Sequence, residues 1–382
     1  MRSLLAVIPV VFLALLALLF GVRVVDHAVN RTRHPTRDRP DRAAVATGAM
    51  PPVVDLHSDV LLWSRPLLER SARGHVDLPR LREGGFVLQV FSATNSFPLW
   101  SNYRRTPAGP DLVSLLALCQ RWPAAAWCSP LERAFVQAEA LRAGAAQSGG
   151  RLVVVERAAD LAAIDARAGA VGAILSIEGL HALDGDPGAI DRLFAAGFRV
   201  FGLVHMTDTD VAGSAHGWRK GGLTPFGRRV VARIDSLGAI VDLAHASSAT
   251  IDDVLDAGVA RVIVSHGGVD GTCPGNRNLS DGELSRIAAA GGLVGIGFWK
   301  GAVCGEDAAA IARAIRYAAD AIGADHVALG SDFDGAVKTP FDAAGVSRLV
   351  PALAAEGFTD PEIAAIMGGN ALRFFAASLP RD

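Results

Sequence analysis

The stretch VVDLHSD, Val53 to Asp59, is an apolar run that ends in His57, skips one residue and reaches Asp59. A short run of this kind suits a strand buried on both faces, with its polar end at a strand terminus. Seven further runs follow it: Phe86 to Phe91, Ala170 to Ile177, Arg199 to Val204, Ala239 to Leu243, Arg261 to Val264, Gly292 to Gly297 and Val327 to Gly330. Several are near-continuous Val, Ile, Leu and Gly rather than alternating, the pattern of parallel strands. Helical periodicity separates them at Pro187 to Ala196, Phe226 to Leu237 and Asp307 to Ala321. Eight strand-helix units predict a (β/α)8 TIM-like barrel, a fold of about 250 residues plus insertions. The surplus falls in Ser92 to Gly150, which is too long for a simple crossover and predicts a helix near Pro130 to Ala143. Arg151 to Val155 is read as a minor extra strand.

The residues that follow these runs form a second pattern. The first run ends in His57 and Asp59, the third in Glu178, the fourth in His205, the fifth in His245, the sixth in His266 and the eighth in Asp332. In a barrel the C-terminal strand ends converge on one mouth, where such enzymes keep their chemistry. Each residue alone has a plainer reading. Asp59 could cap a helix, Glu178 could pair with a cation, and Asp332 or Asp334 could close an Asx turn before Gly335. Yet the chain has only ten His, and four of them stand at strand ends beside three carboxylates. Together they predict a metal site. Imidazoles and carboxylates without thiolate suit zinc, with manganese, cobalt or iron compatible on ligand chemistry. Six or seven ligands exceed the four of one tetrahedral zinc, so two Zn2+ per subunit is the expected count. Two such cations hold and activate a water and polarise a carbonyl, which is hydrolytic chemistry.

Composition agrees with a globular enzyme acting on a small substrate. Of 382 residues, 51% are hydrophobic and 20% charged, and the net charge of −2 with no long run of one sign excludes an electrostatic case for nucleic acid. The N-terminus differs. Leu4 to Val22 is apolar without a charge and is flanked by Arg2 and Arg23, long enough at about 1.5 Å per residue to span a bilayer core. Residues 1–22 are therefore expected to be a hydrophobic helix, a retained transmembrane anchor in preference to a cleaved signal, because no small-x-small site directly follows Phe20. Residues 23–50, rich in Arg, Pro and Thr, read as a flexible tether, and residues 51–382 as the catalytic domain with an insertion around 92–150. A membrane-anchored enzyme facing the periplasm or cell exterior is expected, although the Arg-rich flank opposes that orientation. Among four cysteines, Cys119 and Cys128 are near enough in sequence to pair, while Cys273 and Cys304 look isolated. A homodimer is kept as an expectation.

From about Val53 to Phe375 the chain resembles the membrane dipeptidase (renal dipeptidase) family of zinc metallopeptidases, amidohydrolase-like barrels. The matching stretches are VVDLHSDVLL, LSIEGLHAL, GLTPFGRRVVARIDSLGAIVDLAHAS, VIVSHGGVDGTCPGNRNLSDGELSRIAAAGGLVGIGF, HVALGSDFDG and IMGGNALRFF. The resemblance implies that His57 and Asp59 hold one zinc, that His245 and His266 hold the other and that Glu178 bridges them. It also implies that Asp332 lies against the first metal and the bridging hydroxide as the proton shuttle. By the same resemblance His205 contacts substrate and stabilises the oxyanion, and Arg277 recognises the terminal carboxylate of a dipeptide, L-Xaa-L-Xaa or L-Xaa-D-Xaa. Leu180 stands where the family has a second Gly, the family's surroundings of the fourth strand are replaced by MTDTDVAGSAHGW, and the insertion from Ser92 to Gly150 does not align with the family's pattern. Two alternatives stay open: an amidohydrolase acting on N-acyl amino acids, lactones or amides, and a non-catalytic barrel that binds without turnover.

Overall fold

All eight apolar runs are strands, and they close into a ring. The computed structural model describes residues 21–33, 50–107, 109–165 and 169–381. The strands are β1 (Val53–Ser58), β2 (Phe86–Thr94), β3 (Leu152–Val154), β4 (Val171–Glu178), β5 (Phe198–Gly202), β6 (Ile240–Asp242), β7 (Val262–Val269), β8 (Asn278–Leu279), β9 (Leu293–Ile296) and β10 (Val327–Leu329). Parallel pairing runs β1, β2, β4, β5, β6, β7, β9, β10 and back to β1. This is the eight-stranded (β/α)8 barrel. The minor strand β3 pairs with the first residues of β4, below the point where β5 takes over the same edge. Likewise β8 adds to the end of β7.

Every ring strand sends side chains to one buried cluster, which includes Leu56, Leu88, Ile174, Val200, Ile240, Ile263, Leu293 and Ala328. Only the barrel interior is shared by all eight strands, so this set is the inner layer. Ala371 and Phe375 of the helix Asn370–Ser378 join it and close the end opposite the mouth. The outward faces pack against the surrounding helices in a second, larger cluster. The insertion supplies three helices, Leu112–Cys119, Ala124–Cys128 and Pro130–Gln147. The last starts where the sequence asks: Ser129 accepts the amide of Glu132 and Pro130 occupies the first turn.

Residues 1–20 of the expected anchor lie outside the described residues, and among the described residues no helix is long and apolar enough to cross a membrane. The flexible tether expected over 23–50 does not hold for its first part. Residues 21–29 are helical, and residues 30–33 continue as a strap bound to the barrel. Asp26, buried, pairs with Arg73 at 3.1 Å and Arg65 at 3.6 Å. Asn30 Oδ1 accepts the amide of Ala336, and Thr32 forms a β-bridge with Thr339. These long-range partners outweigh a composition that reads as linker. The cysteine expectation is also corrected: Cys273 is bonded to Cys304, while Cys119 and Cys128 are free. Because β7 and β9 are neighbours in the ring, the loops that follow them meet, which sequence distance hides.

Candidate metal centre

Two β-bulges aim the first candidate ligands. Between β1 and β2, Asp55 pairs with Gln89 and Ser58 with Phe91, so three steps on β1 oppose two on β2. The extra residue turns His57 to the inside, against the alternation that places Val54 and Leu56 there. Between β7 and β9, Val264 pairs with Val294 and Gly267 with Ile296, and the same surplus turns His266 inward. Glu178 is the last residue of β4. His205, His245 and Asp332 each lie three residues beyond the ends of β5, β6 and β10. His245 and Asp332 adopt left-handed backbone conformations with φ of 63° and 58°, sparsely populated outside glycine and concentrated at functional sites. Asp59 stands at the N-cap of a short 3-10 turn but makes no capping bond, which disposes of its plainer reading.

All seven strand-end residues meet in one buried cluster. Glu178 is its centre. Its Oε1 lies 3.1 Å from His245 Nε2, 3.4 Å from His266 Nε2 and 3.7 Å from His57 Nε2. Its Oε2 lies 3.5 Å from His205 Nε2. His57 Nε2 is 3.3 Å from Asp59 Oδ2, and His57, Asp59 and Asp332 form a further group with mutually close ligand atoms. The two nitrogens His245 Nε2 and His266 Nε2 face each other at 3.0 Å. Two imidazole lone pairs at that separation repel unless a proton or a cation lies between them.

The electrostatics point the same way. Burial disfavours a charged His57, yet the carboxylates of Asp59, Glu178 and Asp332 raise its pKa to about 10. Burial pushes Asp332 well above the usual carboxylate range, and Asp59 and Glu178 add to it. Glu178 is held well below that range; burial opposes this, but His205, His57 and the hydrogen bonds of His245 and His266 prevail. His245 and His266 are pushed well down by burial, helped by Arg277 and, for His266, by His57. An anionic pocket with neutral imidazoles facing it is a cation site, and the donors fit a divalent metal.

Surrounding groups hold these side chains. Thr94, at the end of β2, places its hydroxyl 2.5 Å from Asp59 Oδ1 and 3.0 Å from Glu178 Oε2. Asn95 donates to the carbonyls of Glu178 and Gly179. Ser265 Oγ lies 2.9 Å from His266 Nδ1 and 3.4 Å from His57 Nδ1. His205 Nδ1 lies 3.0 Å from the carbonyl of Ser96, which can only accept, so that nitrogen carries a proton. The apolar run that marks the second strand in the sequence stops at Phe91, whereas β2 continues to Thr94 and so brings Thr94 and Asn95 to a strand end that the sequence pattern does not show.

Arg277 enters from the turn before β8. It is buried, donates to the His266 carbonyl at 2.8 Å, approaches His245 Nε2 at 3.4 Å and stacks over Trp299. A cleft of about 580 Å3 runs from His245 and Arg277 to Lys220 and Glu283, within the range of small-ligand pockets. A larger cavity of about 710 Å3, between the strap and residues 70–74, contains none of these ligands. Leu180, the departure close to Glu178, is buried in the outer hydrophobic core. The insertion roofs the mouth: the Tyr103 carbonyl receives Asn276 Nδ2 and lies 3.1 Å from His216 Nδ1, while Trp299 Nε1 donates to the Tyr103 hydroxyl.

A closed parallel barrel with a His/Asp/Glu cluster at its C-terminal mouth defines a metal-dependent hydrolase. Residues 42–378 match the family described as membrane dipeptidase, peptidase family M19, and the chain belongs to that family. It is accordingly a metallodipeptidase, a hydrolase of peptide bonds. It is 28% identical over 344 residues to dipeptidase aclJ of Aspergillus oryzae, covering 84% of this chain and 77% of that protein. Among solved structures it is similar to the metallopeptidase dipeptidase AC, with TM-score 0.73, 27% identity and coverage of 86% and 99% of the two chains. It is also similar to a metallopeptidase from Rhodobacter sphaeroides liganded with a phosphinate mimic of the dipeptide L-Ala-D-Ala, with TM-score 0.72, 26% identity and the same coverage.

Proposed function

We propose that the chain hydrolyses dipeptides, L-Xaa-L-Xaa and L-Xaa-D-Xaa, with two divalent cations, zinc in the first instance. The observation that carries this reading is Glu178 Oε1, which lies within 3.7 Å of three imidazole nitrogens. His57 and Asp59 would hold one cation, His245 and His266 the other, with Glu178 shared between them. When bound, the pair supplies an activated water and polarises the scissile carbonyl. The chain's own groups do the rest. Asp332, kept protonatable by burial among carboxylates, passes a proton to the leaving amine. His205, whose Nδ1 proton is committed to Ser96, donates from Nε2 to the developing oxyanion only when the ring carries both protons. Arg277 meets the substrate carboxylate with its guanidinium fork and so excludes longer peptides. Tolerance of a D-residue is supported by the relative that holds an L-Ala-D-Ala mimic.

The chain is further proposed to be anchored by residues 4–22 and to face an oxidising compartment, a reading supported by the Cys273 to Cys304 bond. The decisive experiment pairs elemental analysis of the purified protein with turnover of L,L- and L,D-dipeptides, N-acyl amino acids and lactones. About two metals per chain and dipeptide turnover are expected. Turnover of the acylated compounds or lactones alone, or a metal content near zero, overturns the reading.

A further inference from the structure

Every large apolar side chain exposed among the described residues sits in one of three segments: the strap (Val24, Val25), the insertion (Leu99 through Trp127) and the loop after β5 (Trp218). Scattered exposed apolar residues are ordinary, but confinement to one face is not. The three segments form a continuous arc on the mouth side of the barrel. Asp26 of the strap pairs with Arg65 of the β1 loop. The adjacent Ser64 donates to Gln120 at the end of the helix Leu112–Cys119, and Gln120 donates back to Leu62. That helix is joined to the roof loop through Leu112 N to Phe97 O. Arg105 of the roof donates to the Trp218 carbonyl and lies 3.9 Å above its ring.

The arc is also cationic. Arg31, Arg104, Arg105, Arg121 and Arg219 are exposed along it. Its carboxylates are engaged inwardly, Asp26 with Arg65 and Arg73, Asp111 with Arg133 and Asp208 with backbone amides, leaving Asp210 exposed. Tryptophan rings and arginine stems together suit an interface that is apolar below and anionic above. The strap that begins the arc is also the direct continuation of the uncharged apolar stretch Leu4 to Val22.

We propose that this arc is a membrane-contact surface, seated on a bilayer that displays anionic phospholipid headgroups. Residues 4–22 hold the chain near such a surface or not; the arc orients the barrel, with the mouth rim toward the lipid. It is carried by residues 21–33, which precede the family match, and by an insertion and loop that lie within it.

The test uses the full-length, metal-loaded protein with vesicles of phosphatidylcholine alone or of equimolar phosphatidylcholine and phosphatidylglycerol, with or without bromine on the lipid chains near the headgroup. Residues 1–22 contain no Trp, so anchoring alone leaves tryptophan emission unchanged by bromine. Brominated anionic vesicles are expected to quench the emission, and W100S/W218S protein is expected to lose most of that quenching while its dipeptide turnover equals the parent's. Protein that floats with the vesicles but is not quenched keeps the anchor and overturns the arc. Quenching by anionic vesicles without flotation on neutral ones supports the arc and overturns the anchor. Equal quenching of parent and variant overturns the arc, as does a dimer in solution that L115S/L118S dissociates in the absence of quenching, since a second copy then covers the face.

Discussion

Asn30 receives the backbone amide of Ala336 on its side-chain oxygen at 2.9 Å, although the two lie 306 residues apart. The loop so held carries Asp332, and Asp334 within it is bound by Arg65, His75 N and Val76 N. A segment ahead of the family match thus braces the loop that carries the carboxylate proposed to transfer the proton.

Replacing Asn30 with Ala removes that acceptor and leaves the Ala336 amide short of a partner, at about 1–3 kcal/mol if it stays dry. Asn30→Ala is expected to lower the thermal midpoint by several degrees and to lower kcat more than it changes KM. Calorimetry and steady-state kinetics on one dipeptide check both, and unchanged kcat would separate the strap from the site.

The Thr94 hydroxyl has one proton for two carboxylates, Asp59 and Glu178. It holds two proposed ligands without being one. Thr94→Val keeps shape and removes the hydroxyl, so metal affinity is expected to fall roughly 10- to 100-fold. A chelator competition titration measures it; wild-type affinity would deny Thr94 this part.

Arg277→Met removes the cation while keeping an apolar stem against Trp299. A charge-assisted pair contributes about 1.5–3 kcal/mol, so KM for dipeptides is expected to rise roughly 10- to 100-fold. Turnover of a neutral ester should change little. Equal damage to both substrates would assign Arg277 a structural part only.

Metal removal should expose a pH dependence. In the metal-free protein the folded-state pKa of His57 lies at about 10, above its ordinary 6.5, against burial and because of Asp59, Glu178 and Asp332. A raised pKa contributes stability that is complete below 6.5 and is lost as pH rises toward 10. The thermal midpoint of chelator-treated protein is therefore expected to fall across that window. With metal bound His57 carries no proton at the ligating nitrogen, and this fall should vanish; identical profiles with and without metal would remove His57 from the ligand set.

The barrel was legible because buried parallel strands must be apolar on both faces and then end in whatever the mouth requires. His57, Glu178, His205, His245, His266 and Asp332 could be read one by one as the residues after such runs. Thr94 escaped because Ser92 broke the apolar run before the strand ended. The docked strap escaped because Asp26 and Asn30 look like linker until Arg65, Arg73 and Ala336 are brought to them from elsewhere in the chain. The Cys273 to Cys304 bond depends on β7 and β9 being neighbours, which is a property of ring closure.

The bulges at Asp55 to Ser58 and at Val264 to Gly267 let two consecutive residues share the inner face, Leu56 with His57 and Ser265 with His266. One residue of each pair serves the scaffold: Leu56 fills the inner layer, and the Ser265 hydroxyl lies beside the Nδ1 atoms of His266 and His57. Deleting that partner would leave the histidine pointing inward but take away what packs beneath it or fixes its ring. Each bulge is thus a single strand position made to seat two side chains, one for the core and one for the mouth.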